Sequence, residues 1–264
     1  MLDGFRSVSE APPFLLSDAF VGNLLPLPAH TPLPVSSLDA TRKMPKKMKP
    51  PIYIPEAMFL RLSHAEHLDS ETIHSVQTHS STRLQCSIDR DTGAAADGAL
   101  FETETHYLSE GSCPYLTVYL RTERHLDRII ECFHALSYTG FGKKSSVGLG
   151  AFTIVGDPEP CPWLDVADGS NAFVSLSHFV PAPTDPTEGW WRLDVTHPKF
   201  HANMVSGVFK GVLTRLTPGS AFLLSAPYRP WYGSMLSIPR PEMPGALHYG
   251  LCFPIPFRIE EANA

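Results

Sequence analysis

The chain has 264 residues, of which 43% are hydrophobic and 18% are charged, and its formal net charge is −6 at pH 7. This length and composition allow a sizeable core and leave room for two domains of typical size, which excludes a fully disordered chain. The net negative charge excludes a protein that binds nucleic acid over its whole surface, so any such site is expected to be local.

The cysteines and the hydropathy of the sequence indicate in which cellular compartment the protein is expected. Five cysteines, an odd number without a Cys-x-x-Cys pair, indicate neither a disulfide framework nor a zinc ribbon. The sequence has no run of 18 apolar residues, and its N-terminus lacks a basic segment leading into an apolar core. We therefore expect reduced thiols, a cytoplasmic location and no membrane contact.

The first marked feature in chain order is a basic segment flanked by prolines. It holds five cations within eight residues, namely Arg42, Lys43, Lys46, Lys47 and Lys49. Such a segment is typical of a solvated, disordered loop. It is also suited to binding RNA. With single-stranded RNA, each phosphate contact makes the slope of the logarithm of the binding constant against the logarithm of the salt concentration steeper by about 0.7.

Histidines are frequent in the following stretch. His64, His67, His74 and His79 do not complete a metal-ligand set at any recognised spacing. The surrounding sequence is polar, which is typical of surface histidines. A metal-dependent hydrolase therefore stays only a distant alternative.

Residues 83–108 are predicted to form a hairpin with a long tip. Arg83–Ile88 and Leu100–Leu108 have the composition of strands. The residues between them, 89–98, are turn-forming or small, and Asp89 is suited to cap its own turn.

A strand, a helix, a glycine-rich loop and a second strand are predicted next. Tyr115–Arg121 and Ala151–Val155 have strand composition. The helix is predicted from about Glu123 to Ser137, because apolar residues recur on one face of a 3.6-residue period. These residues are Leu126, Ile129, Ile130, Phe133 and Leu136.

The loop at 140–150 has the composition of a backbone cradle for phosphates. Its glycines permit positive φ and a close approach of a ligand to the peptide N–H groups, while lysines and serines add charge and donors. The residues concerned are Gly140, Gly142, Lys143, Lys144, Ser145, Ser146, Gly148 and Gly150. The alternative is a flexible turn with solvated lysines.

The position of this loop excludes the two common mononucleotide loops. Walker and Rossmann loops both connect a strand to the N-terminus of a helix, whereas this loop follows a helix C-terminus. The helix dipole therefore provides no positive end, and an anion would be held by loop amides, Lys143 and Lys144. Such a site suits an extended polyanion.

A Pro-rich linker at 157–162 predicts a domain boundary and a mostly β second lobe. Short strand-like runs follow, at Ala172–Phe179, Trp190–Val195, Gly207–Thr214, Ser220–Leu224 and Tyr249–Ile255. Tyr228 and Arg229 combine an aromatic face with a cation, a combination that stacks on bases or clamps phosphates. The tryptophans at 190, 191 and 231 are interpreted as core or subunit-interface residues.

Several blocks together resemble the RAMP superfamily of CRISPR systems, and within it the fourth Csm subunit of type III-A effector complexes. They are the glycine-rich loop, Pro12–Phe20, Ser87–Gly93 with Gly98–Glu102, and His248–Gly250. The similarity covers most of residues 12–155 and thins afterwards.

The resemblance implies an α+β fold with two domains. Residues 1–156 would form a ferredoxin-like, RRM-like RAMP domain with a thumb-like hairpin, and residues 157–264 a second, degenerate ferredoxin-like lobe. In the family, a first strand and a long helix precede the block at Pro12–Phe20, but only eleven residues do so here. A misplaced start, a truncation or supply of that half by another chain would each account for this. Without that half, we expect an exposed sheet edge, an exposed apolar face and weak stability of the isolated chain.

The resemblance also implies a function. The subunit would cap the 5′ tag of the crRNA without catalysis or a cofactor, dock the large Palm-domain subunit and the backbone RAMP subunit, and meet target RNA indirectly. Ile88 or Phe101 of the hairpin would wedge between bases or stack on them, while Arg83 and Arg90 reach phosphates.

An enzymatic alternative remains open at this point. Related RAMP endoribonucleases combine a glycine-rich loop with a catalytic histidine, because metal-free cleavage needs a base for the 2′-OH and an acid for the 5′-oxygen. His79, close to the hairpin, is the first candidate for such a role.

Overall fold

The protein is described here from a computed structural model, which describes residues 11–31, 52–66, 74–75, 78–108, 115–142, 148–165, 169–198, 211–238 and 245–260. Within these ranges the fold is mixed α+β, made mostly of strands together with two α-helices. Neither of these helices has the length and apolar character needed to cross a membrane.

The first lobe, up to residue 156, contains both helices. Its described elements are β1 (Leu15–Val21), β2 (Leu24–Pro26), β3 (Ile52–Pro55), α1 (Glu56–Ser63), β4 (His74–Ser75), β5 (Thr78–Ile88), β6 (Ala95–Leu108), β7 (Leu116–Arg121) and α2 (Leu126–Thr139). β1 pairs antiparallel with β7, β3 lies between β2 and β4, and β5 pairs with β6. The predicted strand at 115–121 and the predicted helix after it are confirmed. The predicted hairpin is also formed, but the long tip predicted at 89–98 is wrong, because β6 begins at Ala95 and pairs it with Ile88.

The second lobe is built from short strands, as predicted. They are β8 (Ala172–Ser175), β9 (Gly189–Trp190), β10 (Leu193–Thr196), β11 (Leu213–Leu216), β12 (Ala221–Leu223), β13 (Tyr232–Gly233), β14 (Leu236–Ser237), β15 (Leu247–His248), β16 (Leu251–Cys252) and β17 (Pro254–Phe257). The largest sheet has the order β17, β8, β12, β9, and every pairing in it is antiparallel. Its edge strand β17 carries Pro254 and Pro256, which suits an edge because proline has no N–H to donate.

The two lobes share one hydrophobic core. Leu15 of β1, Phe59 of α1 and Tyr119 of β7 are buried in the same cluster as Val174 and Phe257 of the second lobe. Burial of apolar area stabilises by about 25 cal/mol per Å², so this shared cluster couples the stability of the lobes. The domain boundary at 156 and 157 stays a prediction.

α1 contributes one apolar face to this core. The helix begins directly after Pro55, and Met58, Phe59 and Leu62 are buried at i, i+1 and i+4. In addition, the Glu56 carboxylate accepts a hydrogen bond from the hydroxyl of Tyr119 (3.1 Å). Burial, together with this carboxylate, raises the pKa of the Tyr119 hydroxyl, so it remains a donor at neutral pH.

Arg121 at the end of β7 connects the lobes through its guanidinium. It donates to the carbonyl of Pro230 (2.8 Å) and to the carboxylate of Asp165 (2.6 Å), and longer bonds reach the carbonyls of Leu164 and Pro254. The same group lies over the ring of Phe253, 4.8 Å from its centroid. A planar cation with five N–H donors is suited to such a junction, because it satisfies several acceptors at once.

A second polar junction lies at the bulge of β1. The Asp18 carboxylate accepts hydrogen bonds from the backbone N–H and from ring Nδ1 of His178. On the other side of this imidazole, Asp194 pairs with Arg215 across β10 and β11. The outer edge of β1 is thereby covered by the second lobe, since the Asp18 N–H also donates to the carbonyl of Leu176 (2.9 Å).

The apolar face of α2 is only partly covered. The sequence predicts five apolar residues on the inner face, but Ile129 alone is buried among them, and Leu126 is exposed.

The predicted strand at 151–155 is not formed. These five residues have no strand pairing in the structure and all are exposed, Val155 by 81%. A strand needs a partner for its N–H and C=O groups. In the part of the chain that the structure describes, β7 pairs only with β1, so no strand edge is paired with residues 151–155.

His30 is a half-buried titratable group at the contact between the lobes. Its ring lies against Trp190 and Phe257, and Nδ1 has no hydrogen-bond partner among the described residues. Burial lowers the pKa of His30 to about 4. The folded protein therefore holds this imidazole neutral.

We predict that His30 makes the fold acid-sensitive. The unfolded state binds the proton below a pKa of about 6.5, while the folded state does so only near 4, so stability falls as the pH is lowered between these values. Between pH 7 and pH 5 this loss amounts to about 2 kcal/mol. Urea unfolding of wild type and His30→Phe at both pH values measures it. An equal loss in the variant would contradict the prediction.

Candidate RNA-binding surface

The β5–β6 hairpin is the longest pair of strands in the described chain. β5 has 11 residues and β6 has 14, and their register runs from Thr78 opposite Leu108 to Cys86 opposite Leu100. At about 3.4 Å per residue, a strand of 11 residues extends over roughly 37 Å. Among the hairpin residues whose burial the structure describes, 81–95 and 100–105, none belongs to the buried core.

Four apolar side chains share one face of this hairpin, and we call them the apolar hairpin face: Leu84, Cys86, Ile88 and Leu100. Strand alternation places the three β5 residues on the same side, and Leu100 lies directly opposite Cys86. Leu84, Ile88 and Leu100 are more than 60% exposed. Isolated two-stranded ribbons are marginally stable in water, so this face is expected to bind a partner.

The opposite face brings Arg83 and Phe101 together. Phe101 lies across from Gln85, and Arg83 lies across from Thr103, so both predicted RNA contacts are on one side. Ile88, the other predicted wedge, lies on the apolar hairpin face instead. Of the predicted RNA contacts, Arg83 and Phe101 therefore lie on the same face of the hairpin, and Ile88 lies on the other face.

The hairpin tip is a tight turn capped by Asp89. Its carboxylate accepts hydrogen bonds from the backbone N–H groups of Asp91 (2.8 Å) and Thr92 (3.0 Å). These backbone donors hold the pKa of Asp89 below its usual value. The predicted capping role is confirmed, and Arg90 lies within this turn, exposed to solvent.

The glycine loop has the backbone conformation that its sequence predicts. Gly140, Gly142, Gly148 and Gly150 all adopt positive φ, between 75° and 97°. Gly140 ends α2, and its N–H donates to the carbonyl of Leu136 (2.8 Å). The loop therefore follows a helix C-terminus, as expected.

A backbone hydrogen bond closes the base of this loop. The N–H of Phe141 donates to the carbonyl of Gly150 (2.9 Å), which brings the two ends together. A Cβ at Gly150 would overlap with the carbonyl of Phe141, whereas one at Gly148 would meet open space. We call the Phe141–Gly150 pair the loop neck.

Tyr228 and Arg229 are both held by contacts within the second lobe. The Tyr228 hydroxyl donates to the carbonyl of Pro254 (3.1 Å), and burial raises its pKa. Arg229 lies over the ring of Tyr232 and donates to the buried carboxylate of Asp185 (2.7 Å). The Arg229 charge is thus neutralised locally, although a shallow cavity of about 140 Å³ lies beside it. Their role in RNA binding stays a prediction.

Two groups of predicted contacts lie outside the described residues. They are the basic segment with Arg42, Lys43, Lys46, Lys47 and Lys49, and the loop residues Lys143, Lys144, Ser145 and Ser146.

The described residues contain no group of three His, Cys, Asp or Glu side chains arranged to hold a metal ion. His64 uses ring Nδ1 in a contact to the carbonyl of Leu60 (2.8 Å). His79 lies on β5 opposite Tyr107. The ribonuclease alternative, with His79 as its first candidate, stays a prediction.

Sequence reasoning missed the apolar hairpin face and the Arg229 ion pair. The alternation of Leu84, Cys86 and Ile88 was a signal for the first, because apolar residues two apart share a face of a strand. The sequence held no signal for the ion pair, because Asp185 and Arg229 are 44 residues apart.

Comparison with known proteins finds similarity to solved structures at low sequence identity. No family model and no curated protein matches the chain. The structure is similar to a chain in the crystal structure of the Csm3–Csm4 subcomplex of a type III-A CRISPR–Cas interference complex, with 14% identity and a TM-score of 0.47 over 94% of this chain and 84% of that one. It is also similar to a chain of the type III-B Cmr-β complex bound to cognate target RNA, with 14% identity and a TM-score of 0.40 over 80% and 65% of the two chains.

We predict that the loop neck depends on glycine at position 150. Gly150→Ala and Gly148→Ala each place a side chain at positive φ, which costs on the order of 1 kcal/mol. Only Gly150→Ala also forces the alanine Cβ against Phe141, so it should lower the free energy of unfolding distinctly more. Urea unfolding of both variants measures the difference. Equal losses would show that the neck is not closed as described.

Proposed function

We propose that this chain is a non-catalytic RNA-binding subunit of a type III CRISPR effector complex. It would hold the 5′ tag of the crRNA and contact the large Palm-domain subunit and the backbone RAMP subunit. The proposal rests on the sequence blocks described above, and the observation that carries it is the exposed β5–β6 hairpin with its cations.

The hairpin has the properties of a nucleic-acid contact. Arg83 and Phe101 share one face, so that a base stacked on the ring would leave its phosphate close to a guanidinium. Arg90 adds a second cation at the tip. Neither Arg83 nor Arg90 has an ion pair with a described residue, in contrast to Arg121, Arg215 and Arg229.

The overall charge favours a local site. With a net charge of −6, the chain repels RNA except where cations cluster. The glycine loop would supply such a cluster through Lys143 and Lys144. Positive φ at its glycines permits a close approach of phosphate oxygens to the peptide backbone.

We predict that Lys143→Ala/Lys144→Ala weakens RNA binding and makes it less salt-dependent. If both lysines contact phosphates, the slope of log K against log salt should become shallower by about 1.4, or 0.7 for each lost contact. Titration of fluorescent single-stranded repeat RNA at several salt concentrations measures this slope. The matched control is Arg124→Ala/Arg128→Ala, which removes the same charge near α2.

The same variants test whether the lysines retain crRNA in the assembled complex. We expect less crRNA per complex after co-expression with the other subunits for the lysine variant, and unchanged crRNA for the arginine control. Equal loss in both would contradict the phosphate cradle. Cleavage of repeat RNA in EDTA that disappears in His79→Ala would overturn the non-catalytic assignment.

We predict that Phe101 contributes by stacking. Phe101→Ala should weaken binding by about 1 to 3 kcal/mol, the usual value for one stacked base, and Phe101→Trp should restore it. Competition titrations with the same RNA measure both. If Phe101→Ala binds like wild type, the hairpin face with Arg83 does not stack on RNA.

A further inference from the structure

Arg229 is fixed in place by three contacts within the second lobe. Its guanidinium lies over the ring of Tyr232, 4.6 Å from the centroid, and its Nη2 donates to the carboxylate of Asp185 (2.7 Å). Its backbone N–H donates to the Tyr232 hydroxyl (3.0 Å). A long side chain that is held at its backbone and at its charged end loses little further freedom when it binds a ligand.

The two residues that hold Arg229 are themselves firmly held. Tyr232 is buried, and its ring stacks on Phe173 at a centroid distance of 4.1 Å and an interplanar angle of 7°. The Asp185 side chain is 4% exposed, and its Oδ2 accepts hydrogen bonds from the backbone N–H groups of Ala182 (2.8 Å) and Gly233 (2.7 Å). A layer of supporting contacts of this kind is typical of a binding group that is fixed in advance.

The guanidinium of Arg229 retains donors for a ligand. Its bond to Asp185 is its single hydrogen bond to a described residue, and the side chain is 41% exposed. A guanidinium carries five N–H groups in a planar fork, and the loss of one Nη2 hydrogen leaves one parallel pair of donors intact. This pair suits two acceptors that lie side by side in one plane.

Arg229 also lines the cavity of about 140 Å³ described above. One water takes up roughly 30 Å³ of the liquid, so the cavity accepts a group larger than a water molecule. Its wall includes the hydroxyls of Thr184, Thr187 and Ser225. Asp185 lines it too, but both of its oxygens already accept hydrogen bonds, so the wall offers mainly donors and hydroxyls.

The charge at this site favours the edge of a base over a phosphate. Asp185 neutralises Arg229, so the pair has no net charge with which to attract a polyanion. Guanine presents adjacent acceptors, O6 and N7, and their bidentate contact with arginine is the most frequent base-specific contact of this side chain. Adenine has an amino donor in place of O6, which opposes the guanidinium N–H groups.

We propose that Arg229 and the cavity beside it bind one unpaired guanine of the RNA, whose O6 and N7 accept hydrogen bonds from the free pair of guanidinium donors. Asp185 acts as a positioning residue that fixes this pair. The inference rests on the proposed RNA-binding function and adds to it a preference for one base.

Competition titrations with the full chain and RNA of defined sequence test the proposal. The probes are oligouridines of eight nucleotides in which the fifth is guanosine, adenosine, cytidine or 7-deazaguanosine. We expect the guanosine probe to bind about 5- to 150-fold more tightly than the adenosine and cytidine probes, the usual discrimination from one bidentate contact. 7-Deazaguanosine lacks only the N7 acceptor, so its affinity should fall towards that of adenosine.

Two variants separate the guanine contact from a merely structural role of the ion pair. Arg229→Lys keeps a cation beside Asp185 but replaces the planar fork, so it should lose the guanosine preference while its affinity for unmodified oligouridine and the salt dependence stay unchanged. Arg192→Lys, at an exposed position of the same lobe, is the matched control and should keep the preference. Circular dichroism and the melting temperature establish that both variants fold.

The outcomes distinguish this inference from the RNA-binding proposal. Equal binding of all four probes by the wild type, or a guanosine preference that persists in Arg229→Lys, overturns the guanine site and leaves the RNA-binding proposal standing. An equal loss of affinity for every probe in Arg229→Lys also overturns it, because that result indicates a phosphate contact. If the wild type binds none of the probes, both proposals are wrong. The comparison of probes on the wild type decides the matter even where a variant does not fold.

Discussion

The junction at Arg121 constrains the rest of the fold. Its guanidinium bonds to carbonyls and a carboxylate from three separate segments of the second lobe and lies over Phe253. The backbone groups it satisfies are at the junction of the lobes, where an unpaired carbonyl costs about 1 to 3 kcal/mol. Because Arg121 ends β7, this junction also fixes the β1–β7 sheet against the shared core.

That arrangement determines which surfaces remain available. One face of the β1–β7 sheet lies on the core, whereas Leu116 and Val118 on its second face are exposed. No hairpin residue whose side chain is described belongs to the core. Exposed apolar side chains occur in both lobes, while the second lobe provides most of the described buried residues.

The acidic composition and the RNA-binding proposal are compatible for a physical reason. Carboxylates neutralise Arg121, Arg215 and Arg229 within the fold. These three cations therefore stabilise the fold and add little to the electrostatic potential outside the protein. Arg83 and Arg90 of the hairpin have no ion pair with a described residue, so their charges stay available to a partner. Carboxylates lie near them in sequence, at Asp89, Asp91, Glu102 and Glu104, so any attraction for phosphates is confined to the individual guanidinium groups.

The sequence by itself determined the local elements. Alternation predicted β7, strand-like composition predicted both hairpin strands, the 3.6-residue period predicted α2, and the glycines predicted a loop at positive φ. The turn capped by Asp89 was the ordinary-hairpin alternative that the sequence allowed. These features depend on residues close in sequence, where backbone sterics and side-chain capping act directly. The tertiary structure alone decided the features that join distant residues. Residues 151–155 have strand composition but form no strand, because a strand also needs the edge of a partner strand. Arg229 pairs with Asp185 because folding brings these two distant residues together. Which apolar faces are covered was likewise decided by packing, since periodicity shows that a face is apolar without showing what lies against it.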